Sequence, residues 1–205
     1  TKIIHLIEFI GLRGIELGNS LIKRCVRLLQ AEYSQLEKFS SLSPIPGRQF
    51  FLLSHFHLSF FFTSDFRKWL TEELNSPSSS TLISPEIRTW LQSLFATTTW
   101  HLDEPTLEQL RPIVIRLCAY YLTQVKHSKT GYARDPVANF HLRNGAVVWR
   151  LNWLANRSEK GWKQSLSMMV NYRYYNIEQI NQNCLDYIDK RTIHVDEQVS
   201  RLLLA

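Results

Sequence analysis

The stretch DPVANFHLRNGAVVWRLNWL, residues 135–154, marks both ends of a short helix and then changes to a strand pattern. Asp135 is a natural N-cap, because its carboxylate can accept hydrogen bonds from the free N–H groups of a first helical turn. Pro136 suits the first helical position, and Gly145 suits the residue that follows a helix end. We therefore predict a short helix between Asp135 and Gly145, followed by a strand over Val147–Leu154.

A second strand pattern lies further along the chain, over Leu166–Tyr174. Apolar or aromatic side chains occupy every second position of this segment, as expected for a strand with one buried face. The residues Asn156–Gly161 separate this segment from the first strand. The two strands can therefore pair as an antiparallel hairpin.

Helical patterns account for much of the remaining chain. Apolar residues fall on one face of Ser20–Tyr33, and a turn with three glycines, residues 11–19, leads into this helix. Phe39–Ser43 has the pattern of a short strand, closed by a Pro-Ile-Pro-Gly turn. Further helices are predicted over residues 66–74, 85–95, 105–125 and 177–204. The mixture predicts an α/β or α+β protein, and no internal repeat is visible.

Composition excludes several classes of protein. The 205 residues are 44% hydrophobic and 12% aromatic, which is too apolar for a disordered chain. The three cysteines lie far apart without a CxxC pair, which argues against a disulfide scaffold or a structural zinc site. The apolar run Ile3–Leu12 is too short to span a bilayer and lacks a signal-peptide cleavage site. Because the chain begins with Thr1 rather than methionine, we expect a piece of a longer protein.

The net charge of +6 favours an anionic partner. Basic residues are scattered among acidic ones, whereas nucleic-acid binding normally needs a basic stripe or patch. We therefore expect a small polyanionic ligand and no nucleic acid, with a nucleic-acid binder as the weaker alternative.

Four features could carry chemistry, and each also has a plain structural interpretation. The glycine turn could place a phosphate at the N-terminus of the first helix, although such glycines more often only form turns. His141 could be catalytic, although a lone histidine among apolar residues is more often a hydrogen-bonded structural residue. Ser43 precedes a proline and could be an ordinary turn serine. Tyr174 could serve strand packing alone.

Taken together, these segments resemble the malonyl-CoA decarboxylase family. The most specific blocks are SPIPG, residues 43–47, and DPVANFHLRNGA, residues 135–146. The other matching stretches are GLRGIELGNSLIKR (11–24), FRKWL (66–70), the flanks of the second block (131–156) and MMVNYRYY (168–175). The resemblance covers most of the chain from Gly11 onward. It implies an α/β (α+β) chain with the GNAT-like acyl-CoA fold: an incomplete mixed sheet flanked by helices, without the family's helical N-terminal domain.

The resemblance also implies a role for individual residues. The family's catalytic serine and histidine fall on Ser43 and His141, its glutamate on Glu16 and its active-site tyrosine on Tyr174. Asn139 is a weaker supporting residue in the same block as the histidine. The glycine turn becomes the expected site of the CoA pyrophosphate, with the contacts Arg13, Gly14, Gly18 and Asn19.

The activity implied by the family is decarboxylation of malonyl-CoA to acetyl-CoA and CO2, with no metal and no biotin. The family also implies a homo-oligomer, a tetramer, located in mitochondria, peroxisomes or the cytosol, and we expect no membrane association. Two alternatives stay open: a non-catalytic acyl-CoA-binding remnant of the same fold, and a GNAT-type acyltransferase.

Two segments depart from the family. The family runs almost directly from Pro-Gly into Phe-x-Lys-Trp-Leu, whereas this chain carries Arg48–Asp65 in between, with six phenylalanines. We interpret this insert as a translated, unspliced intron, which predicts a transcript that joins Gly47 to Phe66. Thr1–Ile10 also does not match the family. We therefore expect residues 1–205 to form one partial catalytic domain.

Overall fold

The computed structural model describes residues 17–35, 39–45, 65–76, 82–97 and 99–204. Its helices are α1 (Leu17–Glu32), α2 (Asp65–Asn75), α3 (Pro85–Ala96), α4 (Glu104–Thr123), α5 (Pro136–Arg143), α6 (Glu159–Ser165), α7 (Ile177–Lys190) and α8 (Glu197–Leu204). Its strands are β1 (Phe39–Pro44), β2 (Val147–Asn152) and β3 (Met169–Tyr174). The class is α+β, which confirms the prediction from sequence.

The strands form one sheet in the order β1-β3-β2, and both pairings are antiparallel. β2 and β3 therefore pair with the orientation that the sequence predicts. Within the described residues, the parallel part of the expected mixed sheet is limited to an isolated bridge between Val148 and Val195.

One face of the sheet collects polar side chains from β1 and β3. Ser41 lies opposite Tyr172, and Phe39 lies opposite Tyr174. Residues directly opposite each other in an antiparallel pair share a face, and alternate residues along a strand do so too. Ser43 is therefore on this face as well, and all of these side chains are buried.

Helix α5 has the two ends that the sequence predicts. One Asp135 carboxylate oxygen, Oδ1, accepts hydrogen bonds from the N–H groups of Val137 at 3.1 Å and Ala138 at 2.8 Å. Gly145 has φ +77°, a left-handed conformation that favours glycine. A Cβ there would lie 2.1 Å from the carbonyl oxygen of Ile180, so α5 can pack against α7 only with glycine at this position.

The connection between β2 and β3 differs from the simple hairpin that the sequence predicts, because it contains α6. Ser158 begins this helix, since its Oγ accepts a hydrogen bond from the N–H of Gly161 at 3.0 Å. β3 begins at Met169 rather than Leu166, because Leu166 and Ser167 have left-handed φ values of 52° and 64° where α6 ends. Both residues are fully buried, and Leu166 extends the alternating apolar pattern without belonging to the strand.

The start of α1 also differs from the prediction. The helix begins at Leu17, so Gly18 and Asn19 belong to its first turn rather than to the glycine turn before it. The rest of that turn and Thr1–Ile10 lie outside the described residues, as does the insert Arg48–Asp65 up to its last residue, where α2 begins. The intron interpretation therefore stays a prediction.

Helix α4 supplies much of the core and contacts α2, α8 and β2. Its Leu110, Val114 and Tyr121 are fully buried. The rings of Phe66 and Trp69 on α2 each pack 5.3 Å from the Tyr121 ring, centroid to centroid. Burying a large apolar side chain contributes roughly 1.5–3 kcal/mol, so this cluster anchors the helices behind the sheet. None of the described helices is long and apolar enough to cross a membrane.

Candidate active site

His141 lies on α5 and is packed against the polar face of the sheet. Only 3% of the residue is exposed. Its imidazole stacks on the Tyr172 ring, with centroids 4.3 Å apart and planes at 16°, and the Phe140 ring meets it edge-on at 5.2 Å. These contacts fix the plane of the imidazole and leave both ring nitrogens for hydrogen bonding.

Four side chains form one hydrogen-bonded series, which we call the serine–histidine chain: Ser41, Ser43, His141 and Tyr174. His141 Nε2 is 2.9 Å from Ser43 Oγ, and His141 Nδ1 is 2.7 Å from Tyr174 Oη. Ser43 Oγ is in turn 3.1 Å from Ser41 Oγ. All four residues are buried, so the series is shielded from competing water.

Local sequence explains how these groups meet. The two serines are alternate residues of β1, and Tyr174 reaches the same face through the register of β3. His141 is held above them because α5 is fixed at its start by Asp135 and at its end by Gly145. Three separate elements, β1, β3 and α5, therefore place the series.

Burial sets the protonation of the site. It lowers the pKa of His141 from the ordinary 6.5 to about 3, so the imidazole is neutral at neutral pH. It raises the pKa of Tyr174 well above the ordinary 10, so the phenol is protonated in the resting site. A neutral imidazole has one donor and one acceptor nitrogen. The site therefore holds uncharged groups joined by hydrogen bonds.

The serine–histidine chain can be polarised in either direction. With the proton on Nδ1, the imidazole donates to Tyr174 and Nε2 accepts from Ser43. With the proton on Nε2, Tyr174 donates to Nδ1 and the imidazole donates to Ser43 Oγ. Exchange between these forms moves a proton into one ring nitrogen and out of the other. The arrangement can thus transfer a proton without creating a buried imidazolium.

The structure brings three of the predicted catalytic residues together: Ser43, His141 and Tyr174. Glu16 lies outside the described residues, together with Arg13 and Gly14 of the predicted pyrophosphate site. The other two residues of that site, Gly18 and Asn19, lie in the first turn of α1.

The hydrogen bond described for Asn139 is to α7 and not to the serine–histidine chain. Its Oδ1 accepts a hydrogen bond from the Tyr187 hydroxyl at 2.8 Å. The same hydroxyl accepts one from the Ala133 N–H at 2.9 Å. This hydrogen bond ties Asn139 on α5 to Tyr187 on α7, and the supporting role expected for Asn139 stays a prediction.

Two members of the site are absent from the sequence predictions, Ser41 and Tyr172. Each lies two residues before a residue that was predicted, Ser43 and Tyr174. The period of two along a strand puts such neighbours on the same face, and this pattern could have identified both.

Neither described cavity is a ready substrate pocket. One of about 20 Å³ lies between α1 and β1, borders Ser41 and Tyr174, and has room for about one water molecule. Another of about 180 Å³ lies between α3 and α4 and is lined by none of the predicted site residues. In the described part of the chain, no three His, Cys, Asp or Glu side chains are grouped in a way that could hold a metal ion.

The comparisons with known proteins all identify the same family. The model of the malonyl-CoA decarboxylase C-terminal domain matches residues 8–205. The mitochondrial malonyl-CoA decarboxylase of Mus musculus is 41% identical over 193 residues, and that of Rattus norvegicus is 40% identical over 200 residues. Each alignment covers 94% of this chain and 38% of the relative. The chain thus spans about two fifths of the length of these relatives.

Solved structures agree. The crystal structure of malonyl-CoA decarboxylase from Rhodopseudomonas palustris matches with a TM-score of 0.79 and 36% identity, covering 98% of this chain and 41% of that one. The enzyme from Agrobacterium vitis matches with a TM-score of 0.77 and 32% identity, covering 95% and 42%. By the family model and by fold, this chain belongs to the malonyl-CoA decarboxylase C-terminal domain family.

Proposed function

We propose that this chain carries the catalytic groups of a malonyl-CoA decarboxylase, which converts malonyl-CoA to acetyl-CoA and CO2. The observation that carries the proposal is the 2.9 Å contact between Ser43 Oγ and His141 Nε2, with Tyr174 on the opposite ring nitrogen. Family membership supports the same chemistry, because these residues lie inside the segments that resemble the family.

Decarboxylation makes two demands on the protein. Breaking the bond between the malonyl Cα and its carboxylate leaves an electron pair, which is delocalised onto the thioester oxygen as an enolate. A fixed hydrogen-bond donor at the developing oxyanion lowers the barrier. A proton must then reach Cα to give acetyl-CoA.

Ser43 serves as the donor to substrate oxygen. Its hydroxyl donates to the malonyl carboxylate or to the thioester oxygen, while His141 Nε2 holds Ser43 Oγ by a hydrogen bond. Because the site is buried, this hydrogen bond acts in a medium of low dielectric constant, where charge stabilisation is stronger than in water.

His141 delivers the proton through Ser43. The Nε2 proton moves to Ser43 Oγ as the Ser43 proton moves to the substrate Cα, and Nδ1 takes a proton from Tyr174, which avoids the buried imidazolium that the pKa of about 3 makes costly. The Tyr174 phenol recovers a proton from solvent after CO2 leaves. Glu16 or Tyr174 orients the pair.

The remaining parts of the proposal follow from the family. The first turn of α1 and the glycine turn before it, with Arg13 and Gly14, bind the CoA pyrophosphate through backbone N–H groups and basic side chains. Because the relatives are named as mitochondrial, the protein acts in the mitochondrial matrix. It forms a tetramer, and the reaction needs neither a metal nor biotin.

The test is an assay of the intact protein with malonyl-CoA, following acetyl-CoA by chromatography and CO2 release. Ser43→Ala and His141→Gln each lower turnover by roughly 100-fold or more, since each removes an acid–base group or its donor. His194→Gln is the matched control, because His194 is partly exposed and hydrogen-bonds Asp186 instead. Activity within a few-fold of the parent in both site variants would falsify the assignment. Calorimetry with malonyl-CoA separates loss of binding from loss of turnover.

A further inference from the structure

Ser41 is the one member of the serine–histidine chain that the family resemblance does not account for. It is 4% exposed, on the same face of β1 as Ser43, and its Oγ lies 3.1 Å from Ser43 Oγ. We propose that Ser41 is a positioning residue, which holds Ser43 Oγ and directs the Ser43 proton toward the substrate. This inference rests on the proposed decarboxylase function.

The argument begins with the hydrogen-bonding capacity of Ser43. A serine hydroxyl has one proton and two acceptor positions. When Tyr174 donates to His141 Nδ1, the neutral imidazole must donate from Nε2 to Ser43. If Ser41 also donates, both acceptor positions of Ser43 are filled by protein groups. The proton of Ser43 then has only the substrate oxygen as its partner.

Without substrate, the hydrogen bond between Ser41 and Ser43 runs in the opposite direction. Ser43 then donates to Ser41 Oγ, which gives the buried hydroxyl a partner at 3.1 Å. Ser41 thus accepts in the free enzyme and donates in the complex, by rotation of two hydroxyl groups. An alanine at this position removes both states and leaves the Ser43 hydroxyl free to rotate.

The backbone of Ser41 is held from the other face of the sheet. The Asn171 side-chain amide donates to the Ser41 carbonyl at 2.8 Å, and the Asn152 amide donates to Asn171 Oδ1 at 2.8 Å. This ladder crosses all three strands of the sheet, because Asn152 lies on β2, Asn171 on β3 and Ser41 on β1. The direction of the Ser41 side chain is therefore fixed by long-range structure as well as by its own strand.

Ser40 provides a closely matched control for Ser41. It precedes Ser41 on β1, is equally buried at 4%, and pairs with Arg173 rather than with Tyr172. Because strand side chains alternate, it points away from the face that carries Ser43. Ser40→Ala therefore matches the change in residue type, burial and strand without touching the serine–histidine chain.

The experiment compares Ser41→Ala, Ser41→Thr and Ser40→Ala in the intact protein. With malonyl-CoA, Ser41→Ala lowers kcat by roughly three- to tenfold at nearly unchanged KM, the expected loss for one neutral hydrogen bond. Ser41→Thr keeps a hydroxyl and restores most of the rate, and Ser40→Ala behaves as the parent. Urea unfolding midpoints show that each variant is folded.

A second measurement does not depend on turnover. In protein labelled with 15N-histidine, the two ring nitrogens of His141 report which one carries the proton, and His141→Gln identifies these signals among the seven histidines. Ser41→Ala shifts the Nε2 signal, because the hydrogen bonds of Ser43 change, whereas Ser40→Ala leaves it in place.

The outcomes separate the two proposals. A parent protein that does not decarboxylate malonyl-CoA overturns the proposed function, and the 15N comparison then decides whether Ser41 positions Ser43. A Ser41→Ala variant with the same His141 signals as Ser40→Ala overturns the positioning role. A shifted signal with unchanged kcat in an active enzyme overturns it as well, because the link would then have no effect on the reaction.

Discussion

Helix α5 connects two polar clusters of similar composition and different character. The serine–histidine chain meets it at His141, and a second cluster, Ala133–Tyr187–Asn139, meets it at Asn139. We call the second one the tyrosine–asparagine link. Each cluster contains a buried tyrosine hydroxyl within 2.9 Å of its partners on or next to α5.

The two clusters differ in whether their hydrogen bonds can reverse. The Ala133 N–H can only donate, so the Tyr187 hydroxyl accepts from it and donates to the Asn139 oxygen. Every member of the serine–histidine chain can both donate and accept. The acidity of the tyrosines does not explain the difference, because burial raises the pKa of both, that of Tyr187 to about 12. A fixed direction suits a structural link, whereas a reversible one can move a proton.

The largest expected effect on kcat comes from substituting the two central residues of the serine–histidine chain, Ser43 and His141, singly and together. Ser43→Ala and His141→Gln each cost roughly 100-fold or more in kcat. The double variant loses hardly more than the worse single variant, because residues that act as a unit are not additive. Combining Ser43→Ala with Tyr187→Phe instead leaves kcat at the level of Ser43→Ala, because Tyr187→Phe alone changes stability and not turnover. Multiplicative losses in the Ser43/His141 double variant would show that the two groups act separately.

The next effect is on stability, at the other cluster. Tyr187→Phe leaves the Ala133 N–H and the Asn139 oxygen without their shared partner, which lowers the free energy of unfolding by roughly 1–3 kcal/mol. Urea unfolding measures this change, and kcat stays close to that of the parent. A loss of turnover comparable to that of Ser43→Ala would place the tyrosine–asparagine link inside the catalytic machinery.

A tyrosine-to-phenylalanine substitution in the serine–histidine chain is expected to lower kcat, whereas the one in the tyrosine–asparagine link lowers stability. Tyr174→Phe keeps the ring in the core but removes the hydroxyl that contacts His141 Nδ1. We expect kcat to fall at least about tenfold, because His141 Nδ1 loses its hydrogen bond and the proton that Tyr174 supplies, with little change in KM. Tyr187→Phe serves as its control in the same assay. Equal rates for the two variants would remove the distinction between the clusters.

These two clusters also show what sequence can predict. The ends of α5 follow from Asp135, Pro136 and Gly145, because capping is local chemistry within a few residues. The alternation in β3 identifies its buried face for the same reason. Helix α6 is not predicted from the sequence, because Asn156–Gly161 is assigned to the connection between the strands and the second strand is expected to begin at Leu166, whose backbone is left-handed.

Contacts between residues far apart in the sequence could not be predicted from local patterns. Ser43 and His141 are 98 positions apart, and Asn139 and Tyr187 are 48 apart. No local pattern states either pairing, because both depend on strand register and helix packing. The family resemblance supplied the first pair by position. For Asn139 it supplied a supporting role but not the partner on α7, which a packed structure alone provides.

The smallest expected effect is a pH dependence of stability that belongs to His141. Its pKa is about 3 in the folded protein and 6.5 when exposed in the unfolded chain. Below pH 6.5 the unfolded state binds a proton that the native state does not, so stability falls as the pH falls through 6.5 toward 3. Above this range His141 adds no slope, since it is neutral in both states.

Comparison with His141→Gln isolates this contribution, because the other titrating groups are common to both proteins. Between pH 7 and 6, the parent loses about 0.7 kcal/mol more than the variant in free energy of unfolding. Urea unfolding at the two pH values measures the difference. The figure does not depend on the native pKa, because the buried imidazole is neutral throughout this interval. Equal losses in the two proteins would mean that His141 takes up a proton in the folded state, and then the serine–histidine chain would hold a charge that fixes its direction.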